Sequence, residues 1–236
     1  MKYSLTEITN ANASLNLAQL PVERKTVKIC LTGQDGSGKT TAMQGLADYL
    51  SEKGKVVITA KSPCDKHTVD ILNNAISQDD YKDWYTEQLL FSYMDGVLSN
   101  YMMQLDGHCD YFICQRGPID QYAHGVTRSC RSYSEIHDNQ RPERLAKFDM
   151  YIHFNCIAEI AWERLRDDDN KDRYEYPEYF RKQVENTRKL YDDIVHGKQM
   201  ALNFFRLSRH VYLDTSYLTI PEVLKQVIDI ADGYFG

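Results

Sequence analysis

No stretch of this sequence is apolar over anything near the roughly 18 residues that cross a bilayer. Its first 19 residues also lack the basic start and apolar middle of a secretory leader. A soluble, cytoplasmic chain with no membrane partner is the expectation. Positive charge is short as well: 28 Lys and Arg against 34 Asp and Glu leave a net charge of -6, so no global field draws a long nucleic acid. Such a partner would need a local basic patch. The cysteines at 30, 64, 109, 114, 130 and 156 form no C-x-x-C pair and no metal-like spacing with the seven histidines. Cys30 and Cys114 stand in apolar runs, as buried free thiols do, so neither a disulfide nor a zinc framework is expected. Internal repeats and low-complexity linkers are missing too.

The 236 residues are 42% hydrophobic, enough to bury a full α/β core. Residues 1–25 are polar and aperiodic and read as an appended arm, with one domain over residues 26–236. Within that domain the runs 27–31, 56–59, 111–114, 150–154 and 211–213 are short and nearly continuously apolar, as strands covered on both faces are. Helical spacing fills 40–53, 84–105, 119–128, 157–165, 177–195 and 221–231. The alternation predicts right-handed crossovers in a three-layer α/β/α sandwich around a five-stranded parallel sheet. The charged run 166–173 falls between two helical patterns and reads as a solvated loop.

One motif carries chemistry. Residues 33–40 read Gly-Gln-Asp-Gly-Ser-Gly-Lys-Thr, between an apolar strand and an amphipathic helix, which is the context that G-x-x-x-x-G-K-[ST] requires. Such glycines let backbone N–H groups turn inward on phosphates, and the following helix adds its positive end. Gly33, Gly36, Ser37, Gly38, Lys39, Thr40 and Thr41 are therefore candidate ATP-binding residues, Lys39 reaching the β and γ phosphates and Thr40 ligating Mg2+. This is the signature of a phosphotransferase. A GTPase reading fails, because the nearest N-K-x-D string, at Asn170–Arg173, has its acid one place early in a hydrophilic segment.

Beyond the loop, the sequence resembles the thymidylate kinases among the P-loop nucleoside monophosphate kinases. Gly33–Thr41 is similar to that family's G-x-D-G-S-G-K-T-T, including the acid Asp35; Ala60-Lys61-Ser62-Pro63 falls where the family has T-R-E-P. Leu89-Leu90-Phe91-Ser92 resembles its L-L-F-A, and Gln115-Arg116 its D-R after the third strand. Asp172-Arg173-Tyr174-Glu175 resembles the D-R-x-E of its lid, and Leu213-Asp214-Thr215-Ser216 with Pro221-Glu222-Val223 its last strand and adenine-side loop. The resemblance implies ATP under the loop, near Thr215, and a lid at about 164–175. It implies an acceptor facing ATP, near Phe91, with Arg116 and Lys61 on the acceptor phosphate. It also implies a homodimer packed through the long helix. Gly36 lies where one branch of the family has an arginine, so Arg164, Arg166 and Arg173 of the lid are the candidates for a mobile catalytic cation. Asp35 and Arg116 complete the expected catalytic set with Lys39.

The departures gather on the acceptor base. Asp95 stands where the family's long helix carries the arginine that reads thymine, which replaces a donor with an acceptor. Asp120, His124 and Gly125 replace the Ser, Tyr and Gln of D-R-x-x-x-S-x-x-A-Y-Q, while Tyr93 and Tyr122 sit where a flat base could stack. Gln115 replaces the acid that supports magnesium, a role open to Asp35 or Asp120 through water. Three functions stay open. One is γ-phosphate transfer from ATP to a (deoxy)nucleoside monophosphate with altered base specificity, a step of nucleotide biosynthesis. The second is phosphorylation of a hydroxyl on a modified base such as 5-hydroxymethyluracil in DNA, the one reading with a nucleic-acid partner. The third is a nucleotide-binding regulatory domain without turnover.

Overall fold

The computed structural model describes residues 2–4, 25–62, 70, 84–127, 147–165, 177–196 and 208–235. In chain order its elements are β1 (Lys2–Ser4), β2 (Val27–Gly33), α1 (Lys39–Glu52), β3 (Val57–Lys61), α2 (Trp84–Gln104) and β4 (Tyr111–Gln115). They continue as α3 (Pro118–Thr127), β5 (Met150–Asn155), α4 (Ala158–Leu165), α5 (Pro177–His196), β6 (Arg209–Asp214) and α6 (Ile220–Phe235).

The sheet runs β1-β3-β4-β2-β5-β6, and every pairing is parallel. All five expected strands are present. A sixth joins them, because Lys2–Ser4, inside the segment read as a free arm, pairs with β3 from Val57 to Thr59. Three residues are too few for alternation to show in a sequence, and an edge pairing is decided by the neighbouring strand. Lys2 also bonds Asp48 on α1 at 2.7 Å.

Strand side chains alternate between two cores, as the pleat demands. Ile29 and Leu31 of β2, Tyr111 and Ile113 of β4, and Met150, Ile152 and Phe154 of β5 meet α1 and α6 on one face. Cys30, Phe112, Cys114 and Tyr151 meet α2, α3 and Leu190 of α5 on the other. With helices over both faces, the central strands β2 to β5 are buried along nearly their whole length, which is why their runs read as continuous, whereas the edge strand β6 is largely exposed. Cys30, Cys109, Cys114 and Cys156 are buried and are in no disulfide among the described residues; Cys64 and Cys130 lie outside the described residues. Among the described residues no helix is long and apolar enough to cross a membrane.

The topology chooses where a ligand goes. From β2 the chain crosses to β3 and returns to β4 on one side, then passes over to β5 on the other. The crevice above the carboxyl end of β2 is thus a switch point, the usual binding place of open parallel sheets.

Candidate functional site

The 33–40 loop occupies that crevice, between the end of β2 and the start of α1. Its backbone takes left-handed angles at Gly36 (φ 75°) and Gly38 (φ 91°). At Gly36 an added Cβ would lie 2.3 Å from the Ala161 carbonyl oxygen, and at Gly33 2.2 Å from that of Phe154. The loop is therefore pressed against α4 and β5, with no room for side chains on that side. Gly38 opens α1 without a side-chain cap, leaving the helix N–H groups for an anion. Lys39 is buried; its Nζ donates to the Gln34 carbonyl at 2.6 Å and lies 3.4 Å from Ser37 Oγ. Burial holds its pKa down to about 8, although the nearby Asp35 charge pulls it upward.

The loop is fastened on the β5 and β6 side by groups of quite different kinds. Gln34 Nε2 donates to the Cys156 carbonyl at 2.6 Å, and Thr215 Oγ1 donates to the Ser37 carbonyl at 2.9 Å and lies 3.1 Å from that of Asn155. Arg164, at the end of α4, donates to the carbonyls of Thr215 (2.9 Å), Ser216 (3.2 Å) and Gly36 (3.4 Å). Thr215 thus sits beside the loop as a buried clamp. Gln34 and Asn155 were not anticipated, since a glutamine inside the motif and an asparagine at a strand end carry no signal of their own. Beneath the loop, Thr32 Oγ1 and His153 Nδ1 are 2.9 Å apart, and burial pushes the His153 ring down to about 3, so it is neutral.

On the β4 side, Arg116 follows the strand with φ 66°, a left-handed conformation that costs a non-glycine residue of order 1–2 kcal/mol. Its guanidinium is ion-paired with Asp35 of the loop. Thr40 Oγ1 donates to Gln115 Oε1 at 2.9 Å, so the amide stands where a carboxylate would accept the same hydroxyl. Lys61 is exposed at the end of β3, next to Ser62, whose N–H bonds the Gln115 carbonyl at 2.9 Å.

The acceptor-side candidates fall on α2 and α3. Phe91 is half-buried and Tyr93 exposed on α2, whereas Tyr122 is buried in the core under α3. Asp95 is 1% exposed and neither carboxyl oxygen has a hydrogen-bond partner among the described residues. Burial and the neighbouring Asp120 hold its pKa well above the usual range. Asp120, also buried, accepts from Gly33 N at 2.9 Å and Gly117 N at 3.1 Å, and burial raises it to about 6. His124 lies on α3 with its side chain outside the described ones, and Arg166, Arg173 and the lid segment from 166 to 175 lie outside the described residues.

The residues fit a nucleoside triphosphate: a glycine cradle with no side chains, an open helix N-terminus and a buried ammonium converge at one edge. They fit magnesium only in part. Thr40 and Gln115 offer neutral oxygens, the nearby Asp35 is engaged by Arg116, and no cluster of three His, Cys, Asp or Glu exists among the described residues. Such a set suits a metal that arrives with the triphosphate and keeps most of its water.

A family model described as AAA domain matches residues 28–198, from β2 through α5. The chain belongs to that family. It is similar to a thymidylate kinase of Caldicellulosiruptor saccharolyticus, 28% identical over 208 residues that make up 85% of this chain and 95% of that one. A thymidylate kinase structure from Candida albicans, described for its broad substrate specificity, superposes with a TM-score of 0.67. The identity is 19%, with 89% of this chain and 92% of that one covered. The second likeness shows the fold. In sequence and architecture the chain is a thymidylate kinase-like P-loop protein, and by class an ATP-dependent phosphotransferase of the nucleotide kinase kind.

Proposed function

We propose that this protein transfers the γ-phosphate of ATP to a (deoxy)nucleoside monophosphate whose base is not read as thymine is. The observation that carries the reading is the meeting of Lys39 in the phosphate loop with Arg116 beyond β4, linked through Asp35. Two polyanions held in line need cations on both sides of the transferred group, and this pair of loops supplies them from fixed backbone. Magnesium, brought with ATP, would be held by the Thr40 hydroxyl and, through water, by Gln115, and would supply positive charge to the transferred phosphate. Arg166 and Arg173 are the lid cations of the proposal, and Lys61 a second grip on the acceptor phosphate.

Base choice turns on Asp95. A buried carboxyl without partners costs stability, and substrate is what would repay it. In its neutral form it offers one donor and one acceptor, where the thymidylate kinase arginine offers donors alone. That pattern suits a base edge bearing an amino group beside a ring nitrogen. A homodimer along α2 belongs to the same proposal, supported by the exposed Leu89, Tyr93 and Met103 of that helix, as does a cytoplasmic location.

The test is ATP consumption with magnesium against nucleoside monophosphates, nucleosides and DNA containing modified pyrimidines. Turnover with one amino-bearing monophosphate is expected. Turnover only with modified DNA would replace the acceptor, and tight ATP binding without turnover would favour a sensor, a role to which Gln115 lends itself. Asp95→Arg should move preference toward dTMP; an unmoved acceptor profile removes Asp95 from the pocket.

A further inference from the structure

Asp120 is an acid in the first turn of α3, and one of its bonds is ordinary there. Its Oδ2 accepts from Gly117 N at 3.1 Å, the reach from the third helical residue back to the cap that closes many helix starts. Its other oxygen does something no cap requires. Oδ1 accepts at 2.9 Å from the N–H of Gly33, 87 residues away, the first glycine of the phosphate loop. We propose that Asp120 is a positioning residue, a strap with two ends that fixes the phosphate-binding loop to the loop carrying Arg116, so that donor and acceptor phosphates keep one spacing. The proposal rests on the ATP reading of the loop given above.

The geometry has several supports. Arg116 is the residue immediately before Gly117, and its left-handed backbone must be held by its neighbours. Its N–H bonds the Leu31 carbonyl at 2.9 Å, two residues before Gly33, so the two loops leave the sheet side by side and the strap ties them just above it. Among common side chains of this length only a carboxylate accepts at both oxygens; an asparagine must turn its amide toward one of the two N–H groups. A purely capping acid would also sit at the surface, whereas Asp120 is 5% exposed.

The charged and titratable groups around it are Lys39 on α1, Arg116 on its own loop, Asp95 on α2, Cys30 on β2 and Tyr151 on β5. Burial raises Cys30, Tyr151 and Asp95, which favours their uncharged forms, while Lys39 and Arg116 face Asp35 of the loop as well as Asp120. Acidification toward pH 6 protonates Asp120 and removes an acceptor from one of the two glycines.

Asp120→Asn breaks the strap, because its single amide oxygen can accept from only one of the two N–H groups. The probes are a fluorescent ATP analogue, thermal melting, and the amide resonances of 15N-glycine-labelled protein. We expect a melting point within a few degrees of wild type and a loss of analogue affinity of tenfold or more. The Gly33 and Gly117 amides should shift together between pH 5 and 7.5 in wild type, and both shifts should vanish in Asp120→Asn. Wild-type affinity in Asp120→Asn, or an affinity loss matched by a large fall in melting point, would overturn the strap and leave the ATP reading standing. Failure of the wild type to bind the analogue would sink both.

Discussion

Replacing Lys39 with methionine should stabilise the protein when no nucleotide is present. Lys39 is buried at neutral pH as a cation, and its pKa falls from 10.5 to about 8. At ~1.4 kcal/mol for each factor of ten in proton binding, that is about 3 kcal/mol charged against the folded state. The sign follows from proton counts. Between pH 8 and 10.5 the unfolded lysine holds a proton that the folded one has released, so wild-type stability rises with pH across that window. Below about pH 8 the full cost is present. Methionine is of similar length, removes the charge and gives up the bonds of Nζ, but the Gln34 carbonyl keeps the Ser37 hydroxyl at 2.7 Å. Allowing about 1 kcal/mol for the lost bonds leaves roughly 2 kcal/mol, a rise of about 4–8 °C in Tm for a domain of this size.

The assay is thermal melting of wild type and Lys39→Met at pH 7, 9 and 10.5, with and without MgATP. The variant should melt higher at pH 7, and its lead should shrink toward pH 10.5. With nucleotide at about a hundred times its Kd the order should reverse, because binding adds about 2.7 kcal/mol to the wild type alone. A variant that melts below wild type at pH 7, with a gap that ignores pH, would refute the account of a cation held at a cost for its ligand.

Gly36→Ala should lower kcat about a hundredfold in steady-state assays. Its φ of 75° and a contact of 2.3 Å to the Ala161 carbonyl force loop and α4 apart by about 1 Å, a displacement of the size that costs that much; unchanged kinetics would mean the loop is not the phosphate site. Thr215→Val keeps the shape of a fully buried residue but leaves the Ser37 and Asn155 carbonyls a donor short. A loss of about 1–2 kcal/mol in denaturant unfolding with a raised KM for ATP is expected, and a change in stability alone would detach Thr215 from the nucleotide side.

What the sequence made legible follows from how the fold buries its elements. Strands covered on both faces are nearly apolar throughout, so β2 to β5 could be read off, while the largely exposed β6 showed only its short run 211–213, and the phosphate loop is written in glycines that nothing else explains. The buried acids could not be read so directly. Asp120 stood out only as an acceptor-side departure from the family pattern, because its bond to Gly33 depends on a strand far away in sequence. Asp95 carried a weak signal: Leu98 and Met102 follow it at three and seven places, the spacing of one helix face, so an acid was standing on the apolar side of α2. Arg164 was a lid candidate through the family resemblance alone, and its donation to three carbonyls around the loop could not be read from the sequence.

These placements share one consequence. Gln34, Thr215 and Arg164 tie the phosphate loop to the β5 and β6 side, while Thr40, Asp35 and Asp120 tie it to the β4 side. A loop held from both flanks has little left to reorganise when a triphosphate arrives, which is the condition under which fixed dipoles stabilise developing charge most effectively. The cost is concentrated at this same edge: a buried ammonium, an unpartnered carboxyl at Asp95 and a left-handed arginine. Local rules broken together at one place, against a core that obeys them, mark where a chain gives up stability for chemistry.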